Sequence, residues 1–438
     1  MVRCKRRVSG ASQGGGAQSG PMLSRTLQIA LSASLLTVIV AGCGSSNSRT
    51  FADGPPQGPA PAPGPGGEIA PGGVAPGEAV GHLRGTVLAP NGTMPIAGAV
   101  LYLTNKAPEP EPEKVYCDVC IHLDAGAAYT LSDDKGAFDL VPNAVGKQYL
   151  VVQKGGFRRV REVTVVKGEA TLDKVLTSLP GRTDLSAGDE VPRMTVVHGQ
   201  YDEIEASLKK LGIHESAIEV VQSALIGQAA SSFLTDKSRV DAKHIVFLPC
   251  GDFTQPSPNT DLSSDPTIQD NLRSFVDAGG RLYVTDWHYD FIAKTFPGFI
   301  SWAGGGSAPC SGCERVAYDA PATVDDPALA AWMTAQSLST FTLQRNYTTI
   351  ASVNPVETTD ATGAAKTVTP HVWVSGSKSA GKKAPATVSF EHGCGRVLFS
   401  SYHTEPFSND LTPQERALLG ILLEASVCND SPTGVVVK

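Results

Sequence analysis

The sequence predicts a multi-domain protein in which an all-β sandwich precedes an α/β domain. Residues 81–180 contain short segments rich in β-branched and aromatic residues, separated by turn signals, which is typical of a sandwich. Residues 192–428 alternate apolar strands with amphipathic helices, which indicates a parallel sheet covered by helices on both faces. A stretch rich in proline and glycine precedes both regions.

The first residues predict an export signal. Arg25 precedes the apolar run LQIALSASLLTVIVAG, which is shorter than a membrane-spanning helix and ends just before Cys43. Residues 1–42 are expected to form the signal and to be removed, with Met22 as an alternative start that gives a signal of typical length. An ordinary secretory signal with an incidental cysteine is the alternative.

Residues 40–43, with the sequence VAGC, resemble the lipobox of bacterial lipoproteins. The resemblance implies that Cys43 becomes the first residue of the mature chain and carries a diacylglycerol thioether with acyl chains such as palmitate. This lipid would anchor the protein in the cell envelope, and Gly44 after the cysteine favours the outer membrane.

Residues 43–80 predict an extended, disordered tether, because proline and glycine leave almost no side chains to form a core. Five basic and no acidic residues precede Cys43, so the mature chain keeps 31 Lys and Arg against 43 Asp and Glu, a formal charge of −12. A surface of that sign argues against nucleic acid as the main partner. Residues 429–438 are expected to form a flexible tail.

The first folded region carries turn signals at residues 91–92 (NG) and 134–136 (DKG). Its stretches GTVLAPNGTMPIAGAVLYL and SDDKGAFDL resemble the carboxypeptidase regulatory-like, or transthyretin-like, domain. The resemblance implies a carbohydrate-binding-like β-sandwich with an accessory role and no catalytic residues.

Individual elements can be placed in the second region. Buried strands are expected at residues 194–197, 245–248 and 282–285, with further strands in HVWVSG, ATVSFEHG and GRVLFSS. Helices are expected after Asp202, which can cap the first of them, at residues 266–278, where Asp265 precedes Pro266, and at residues 327–335. The residues TPQE at 412–415 predict a capping box that opens the last helix. This is a Rossmann-like α/β arrangement.

Polar residues follow the predicted parallel strands, whose carboxyl ends lie at one edge of the sheet. We expect a ligand pocket there, or a metal site of histidine and carboxylate type. The predicted ligand-binding residues are Asp252, Asp286, Trp287, His288, His403 and Glu405. The alternative is that these loops are polar only because they face solvent.

The GGRLYV strand, the GRVLFSSYH strand and the closing helix resemble the class I glutamine amidotransferase-like fold. Catalytic members of that family carry a cysteine nucleophile in a Gly-x-Cys-x-Gly turn after the strand, called the nucleophile elbow, and a His-x-Glu motif near the end. This chain keeps HTE at residues 403–405 but has TDWHY at residues 285–289. The resemblance therefore implies an elbow without its nucleophile.

These features predict an envelope lipoprotein with a non-catalytic binding or scaffolding role, for a carbohydrate or an envelope protein. The alternative is a hydrolase that uses the strand-end cluster, with or without metal, for which Cys250, His403 and Glu405 are the catalytic candidates. A third possibility is a structural surface protein with no ligand. No motif assigns a cofactor or a definite metal site.

Cysteine usage fits an exported protein with disulfide bonds. The candidates are Cys117, Cys120, Cys310, Cys313, Cys394 and Cys428. The two CxxC pairs are expected to close on themselves, and the last two cysteines to bond to each other, although the pairing does not follow from the sequence. Each CxxC could instead bind zinc or act as a redox dithiol. Cys250 then remains a thiol.

Overall fold

A computed structural model describes residues 78–118, 121–123, 126–199, 201–222, 226–251, 261–303, 316–359, 363–378, 383–404, 408–424 and 435–437. Over these ranges the fold is β-rich, with mixed sheets and shorter helical segments. No helix within them is long and apolar enough to cross a membrane. The predicted signal and tether lie outside the described residues, as do Cys43, Cys120, Asp252, Cys310, Cys313, Glu405 and Cys428.

The strands are β1 (Gly81–Thr86), β2 (Val100–Thr104), β3 (Ile121–Leu123), β4 (Tyr129–Leu131), β5 (Ala137–Leu140), β6 (Gly146–Lys154), β7 (Phe157–Val165), β8 (Gly168–Thr171), β9 (Asp189–Glu190), β10 (Met194–Val197), β11 (Ile218–Val221), β12 (Ile245–Leu248), β13 (Arg281–Thr285), β14 (Ile300–Trp302), β15 (Tyr318–Val324), β16 (Thr342–Asn346), β17 (Ile350–Val353), β18 (Val356–Thr359), β19 (Ala365–Val368), β20 (His371–Gly376), β21 (Pro385–His392), β22 (Gly395–Ser400) and β23 (Val435–Val437).

The α-helices are α1 (Lys174–Thr177), α2 (Ile204–Lys210), α3 (Ile226–Leu234), α4 (Lys237–Asp241), α5 (Pro266–Asp277), α6 (Tyr289–Thr295), α7 (Pro327–Ala335) and α8 (Pro413–Glu424). Short 3-10 helices occur at Glu215–Ala217, Leu262–Ser264 and Asp286–His288.

The first region is built from two sheets, with the strand orders β5-β1-β8 and β4-β2-β6-β7-β9. Strands β2, β6 and β7 are antiparallel neighbours, whereas β8 runs parallel to β1. Leu83 and Leu140 of one sheet share a buried core with Leu101 and Leu150 of the other. The two sheets therefore bury a common apolar core.

The second region is organised around a sheet of order β11-β10-β12-β13-β22-β21-β20-β15-β16. Strands β11, β10, β12, β13 and β22 are parallel, and those from β22 to β16 are antiparallel. The prediction of a parallel sheet therefore holds only for its first half. The reason is the hairpin that joins β21 to β22, because strands joined by a tight turn must run in opposite directions.

Successive residues of the parallel strands face two separate cores, as the two-residue period of a strand requires. In β12, Ile245 and Phe247 belong to the core that contains α2, α8 and the first region. Val246 and Leu248 belong to the core that contains α3, α5 and α6. Because both faces of the parallel strands are covered, their carboxyl ends are the part of the sheet left to form a site.

Two helices begin at the caps that the sequence indicated. The Asp265 side chain accepts a hydrogen bond from the Thr267 N–H at 2.8 Å at the start of α5. At the start of α8, the Thr412 N–H donates to Glu415 Oε2 at 2.7 Å and the Glu415 N–H donates to Thr412 Oγ1 at 3.3 Å. The predicted capping box is therefore confirmed.

The two regions pack together within one compact unit. Residues 111–118 leave the first region and cross the amino-terminal end of the parallel strands; we call them the strap. The Val115 N–H of the strap donates to Asp241 O at 2.8 Å, and His244 Nε2 donates to Pro112 O at 3.0 Å. On the other side of the sheet, Trp332 Nε1 donates to Pro95 O at 3.0 Å.

A disulfide bond joins Cys117 of the strap to Cys394, in the hairpin between β21 and β22, with Cα atoms 5.2 Å apart. The predicted bonds from Cys117 to Cys120 and from Cys394 to Cys428 are therefore wrong. The two bonded cysteines are 277 residues apart in sequence, and only the packing of the strap against the sheet brings them together. Spacing along the chain favours local CxxC bonds and cannot detect such a pairing.

Candidate functional site

The carboxyl ends of β10, β12, β13 and β22 form one edge of the sheet. The register aligns Leu248 with Val284 and Thr285 with Ser400, so the residues that follow these strands are neighbours. Of the predicted ligand-binding residues, Asp286 and His403 are brought into direct contact there. We call Cys250, Asp286 and His403 the strand-end cluster.

A short hydrogen bond lies at the centre of this cluster. His403 Nε2 donates to Asp286 Oδ2 at 2.7 Å, and both side chains are buried. Burial raises the pKa of Asp286, and the hydrogen bond with His403 offsets part of this increase. Burial by itself lowers the pKa of His403, but the hydrogen bond and the charge of Asp286 outweigh it and raise that pKa. Both pKa shifts favour the state in which Asp286 and His403 keep the proton that lies between them.

The backbone is strained where β13 ends. Asp286 has a φ of 47°, in the left-handed region that residues other than glycine rarely adopt. A strained residue between a strand and a helix is where nucleophile elbows place their reactive side chain. The sequence comparison placed Trp287 at the centre of the vacated elbow, but the residue in the strained position is Asp286.

Asp202 holds three loops together and was not predicted as a site residue. Its Oδ2 accepts a hydrogen bond from Thr285 Oγ1 at 2.7 Å, and its Oδ1 accepts from the Thr404 N–H at 3.0 Å and from the Thr404 hydroxyl. The predicted cap role of Asp202 is wrong, because α2 begins at Ile204 and Glu203 occupies its N-cap position. The only signal for this role in the sequence was an aspartate shortly after a buried strand.

Cys250 contributes a buried thiol to the same place. Its N–H donates to Thr285 Oγ1 at 2.9 Å, which fixes the loop after β12 against β13. One donor atom each from Cys250, Asp286 and His403 lies within 4.8 Å of the other two. The sequence offered Cys250 as an alternative nucleophile without placing it beside Asp286.

His288 is buried against the loop after β12. Its Nε2 donates to Gly251 O at 2.8 Å, its ring packs edge-on against Phe291 at 5.9 Å, and it is 1% exposed. Burial lowers its pKa to about 4, so the ring is neutral at physiological pH. In this structure it supports the loop after β12 and does not offer a surface to a ligand.

Aromatic side chains border the strand-end cluster. The Trp287 ring is partly exposed and lies 5.8 Å from the ring of Tyr347, edge to face, and Tyr347 lies 6.2 Å from His403. Arg345, two residues before Tyr347, is exposed, and its charge offsets part of the increase in the pKa of His403. Tyr347 and Arg345 come from the antiparallel half of the sheet, where the sequence offered no motif.

Asp290 in α6 is a largely buried carboxyl group with a raised pKa. Its Oδ1 is buried without a hydrogen bond from any described residue, and burial raises its pKa to about 6. The unfolded chain therefore loses this proton at lower pH than the folded chain, and folding becomes less favourable between about pH 4 and pH 6.

We expect Asp290→Asn to raise the free energy of unfolding by about 1–2 kcal/mol at pH 7.5, after allowance for partial solvent screening, and to have almost no effect at pH 4. Urea unfolding at both pH values measures this. Asp270→Asn, at an exposed position of α5, is the matched control and should show no such pH dependence. An equal effect of Asp290→Asn at both pH values would contradict the assignment.

A separate cavity of about 80 Å³ lies at the opposite end of β13, between the strap and the second region. Its walls carry several carboxylates and two arginines, and include Glu111, Glu113, Asp118, Glu190, Arg193, His244, Gly279 and Arg281. Burial lowers the pKa of Arg281, and the charge of Asp118 opposes this. An ion pair of 3.3 Å joins Arg193 to Glu113 of the strap at this junction, which is remote from the strand-end cluster.

No family model matches the chain, and no curated protein matches it. Among solved structures, a ThuA-like protein from Bacteroides uniformis is similar over 53% of this chain and 91% of its own length, with 14% identity and a TM-score of 0.30. A cold-adapted β-galactosidase from Rahnella sp. R3 is similar over 54% of this chain and 32% of its own, with 13% identity and a TM-score of 0.29. At these TM-scores, function has to be argued from the residues of the chain itself.

Proposed function

We propose that the chain is a lipid-anchored protein of the bacterial cell envelope that binds a carbohydrate or an envelope protein without catalysing a reaction. Its first region corresponds in this proposal to a transthyretin-like sandwich, and its second to an amidotransferase-like three-layer α/β domain. Cys43 is the membrane anchor, in the outer membrane, and nucleic acid is not expected as a partner.

The observation that carries this proposal is the identity of the residue in the strained position after β13. A nucleophile must reach its substrate while a base accepts its proton. Asp286 is a fully buried carboxyl, and its Oδ2 is engaged by His403. The histidine that serves a thiol in catalytic amidotransferases is therefore used here to fix a carboxyl group, which supports a binding role.

The ligand surface that we propose is the aromatic border of the cluster. Partly exposed aromatic rings offer a large, rigid contact area at a small cost in conformational entropy. Trp287 and Tyr347 provide two such rings, and Arg345 adds a positive charge beside them. This combination suits a ligand with an apolar face and a polar rim, such as a sugar ring.

A thermal-shift screen of the purified full chain against glycans and envelope metabolites tests this proposal. We expect a sugar to raise the unfolding temperature, and Trp287→Ala to weaken its binding about tenfold, which corresponds to about 1.4 kcal/mol. Val175→Ala, at a 66% exposed valine of the first region, is the control and should bind normally. Unchanged affinity in Trp287→Ala, or no change in unfolding temperature with any compound of the screen, would refute the proposed surface.

The anchor has its own test. Cys43→Ala removes the only sulfur to which the proposed lipid can be attached, so we expect the chain to leave the membrane fraction and the detergent phase. Detergent-phase partitioning of cell extracts measures this, with Cys4→Ala as the control upstream of the signal. Persistence of the Cys43→Ala chain in the detergent phase would remove the lipoprotein assignment.

A hydrolase is the second candidate, and the proximity of Cys250 to Asp286 and His403 favours it. A thiol beside a histidine can be activated as a nucleophile. Turnover of activated esters or amides by the full chain, lost in Cys250→Ser and after alkylation of that thiol, would support it. Absence of turnover by the unmodified chain would leave the binding role as the better account.

A further inference from the structure

We propose that Cys250, Asp286 and His403 form a binding site for a divalent transition-metal ion of the zinc class, with one coordination position left for water or a ligand. This proposal goes beyond the binding role argued above. It also does not depend on that role, because the aromatic border can bind a ligand whether or not a metal is present.

The donor set indicates which metals fit. Thiolate sulfur, imidazole nitrogen and carboxylate oxygen are the three donor types that proteins offer to zinc. Magnesium and calcium prefer oxygen donors alone, so a thiolate argues against them. One donor atom from each residue lies within 4.8 Å of the others, and each residue follows a different strand of the sheet.

A second observation points to a missing cation. Asp286 is completely buried, and although its Oδ2 accepts the bond from His403, its Oδ1 accepts no hydrogen bond of ordinary geometry from any described residue. A buried oxygen in this state is costly. The Cys250 thiol interacts with the same carboxyl, and a metal ion would replace the thiol proton at that point.

The charge around the cluster also favours a cation. Asp202 is completely buried and is held by hydroxyl and N–H groups. Within the described ranges, no lysine or arginine forms an ion pair with Asp202 or Asp286. A divalent ion would add to the compensation that these hydrogen bonds and His403 give the two buried carboxyl groups.

Groups behind the three donors fix their orientation, as the supporting residues of metal sites do. The chain of hydrogen bonds from Asp202 through Thr285 to the Cys250 N–H holds the loop that carries the thiol. Gln414 Nε2 donates to the His403 carbonyl at 2.7 Å and holds the loop that carries the imidazole. The site is therefore built before a metal arrives.

Metal binding is a simple exchange of protons for the ion. The S–H bond of Cys250 breaks, a metal–sulfur bond forms and the thiol proton leaves to solvent. The hydrogen bond between His403 Nε2 and Asp286 Oδ2 breaks as both groups bind the ion, its proton also leaves to solvent, and the His403 ring keeps a proton only on Nδ1. No group is oxidised or reduced.

Cobalt(II) titration of the metal-free full chain tests the proposal, under argon and without added thiols so that the Cys117–Cys394 bond stays intact. We expect one Co(II) per chain, a sulfur-to-cobalt charge-transfer band, the visible bands of a four-coordinate ion, and loss of both on addition of Zn(II). Absence of uptake, or uptake without the charge-transfer band, would overturn the site. This measurement needs no variant to fold.

Variants then locate the ion. Changes in residues behind metal ligands cost about 10–100-fold in affinity, so removal of a ligand in Asp286→Asn or His403→Gln should cost about 100-fold or more, and Cys250→Ser should abolish the charge-transfer band. His82→Gln, at a partly exposed position of the first region, and the double variant Cys310→Ser/Cys313→Ser are matched controls that should bind Co(II) normally. Circular dichroism of the metal-free variants verifies folding. A band that survives Cys250→Ser, or vanishes with Cys310→Ser/Cys313→Ser, would place the metal elsewhere and refute the assignment.

Discussion

Replacing both Cys117 and Cys394 by serine is expected to lower the free energy of unfolding by about 5 kcal/mol. The bond between them closes a loop of 277 residues, and a cross-link stabilises a fold mainly by restricting the unfolded chain, more so for a longer loop. The bond also ties the strap to the hairpin between β21 and β22, so loss of the bond should also loosen the junction. Guanidinium unfolding followed by tryptophan fluorescence measures the change.

The single variants provide the control for this prediction. If the effect comes from the bond, Cys117→Ser and Cys394→Ser should each lose about as much stability as the double variant, and reducing the unmodified chain should lose a similar amount. Additive single effects would indicate that each cysteine matters only by its own packing. A double variant as stable as the parent chain would show that the strap is held by its hydrogen bonds alone.

The pairing of Cys117 with Cys394 could not be predicted from the sequence, whereas many local elements could. Apolar runs predicted β10, β12 and β13 within a residue of their observed bounds, and capping residues predicted the starts of α5 and α8. These signals are local, because a strand or helix depends mainly on residues within a few positions of each other. The path of the strap depends on how two regions pack, and neither CxxC spacing nor periodicity contains that information.

Some features of the candidate site could likewise be predicted from the sequence, and others could not. Asp286 and His403 could be predicted as neighbours, because both follow parallel strands and such strand ends share one edge. Their hydrogen bond, the strained φ of Asp286 and the approach of Cys250 could not, because they depend on loop conformations. Tyr347 was missed for another reason: it follows β16, a strand that was not predicted from the sequence.

Substitution of Gly279 by alanine is expected to lower the free energy of unfolding by about 3 kcal/mol, because two costs coincide there. Gly279 ends α5 with a φ of 109°, which disfavours any side chain. A Cβ atom would also lie 1.8 Å from the carbonyl oxygen of Tyr116 in the strap. The strap cannot easily move away, because the neighbouring Cys117 is bonded to Cys394.

Gly146 separates the two costs, since its φ is 110° and an added Cβ would meet nothing within 4 Å. Gly146→Ala should therefore cost only about 1 kcal/mol, and the difference from Gly279→Ala measures the clash with the strap. In a chain that also carries Cys117→Ser, the strap can withdraw, so the additional cost at Gly279 should shrink. Equal costs at both glycines in urea unfolding would mean that the strap already yields at Tyr116, and that the disulfide does not hold it against the end of α5.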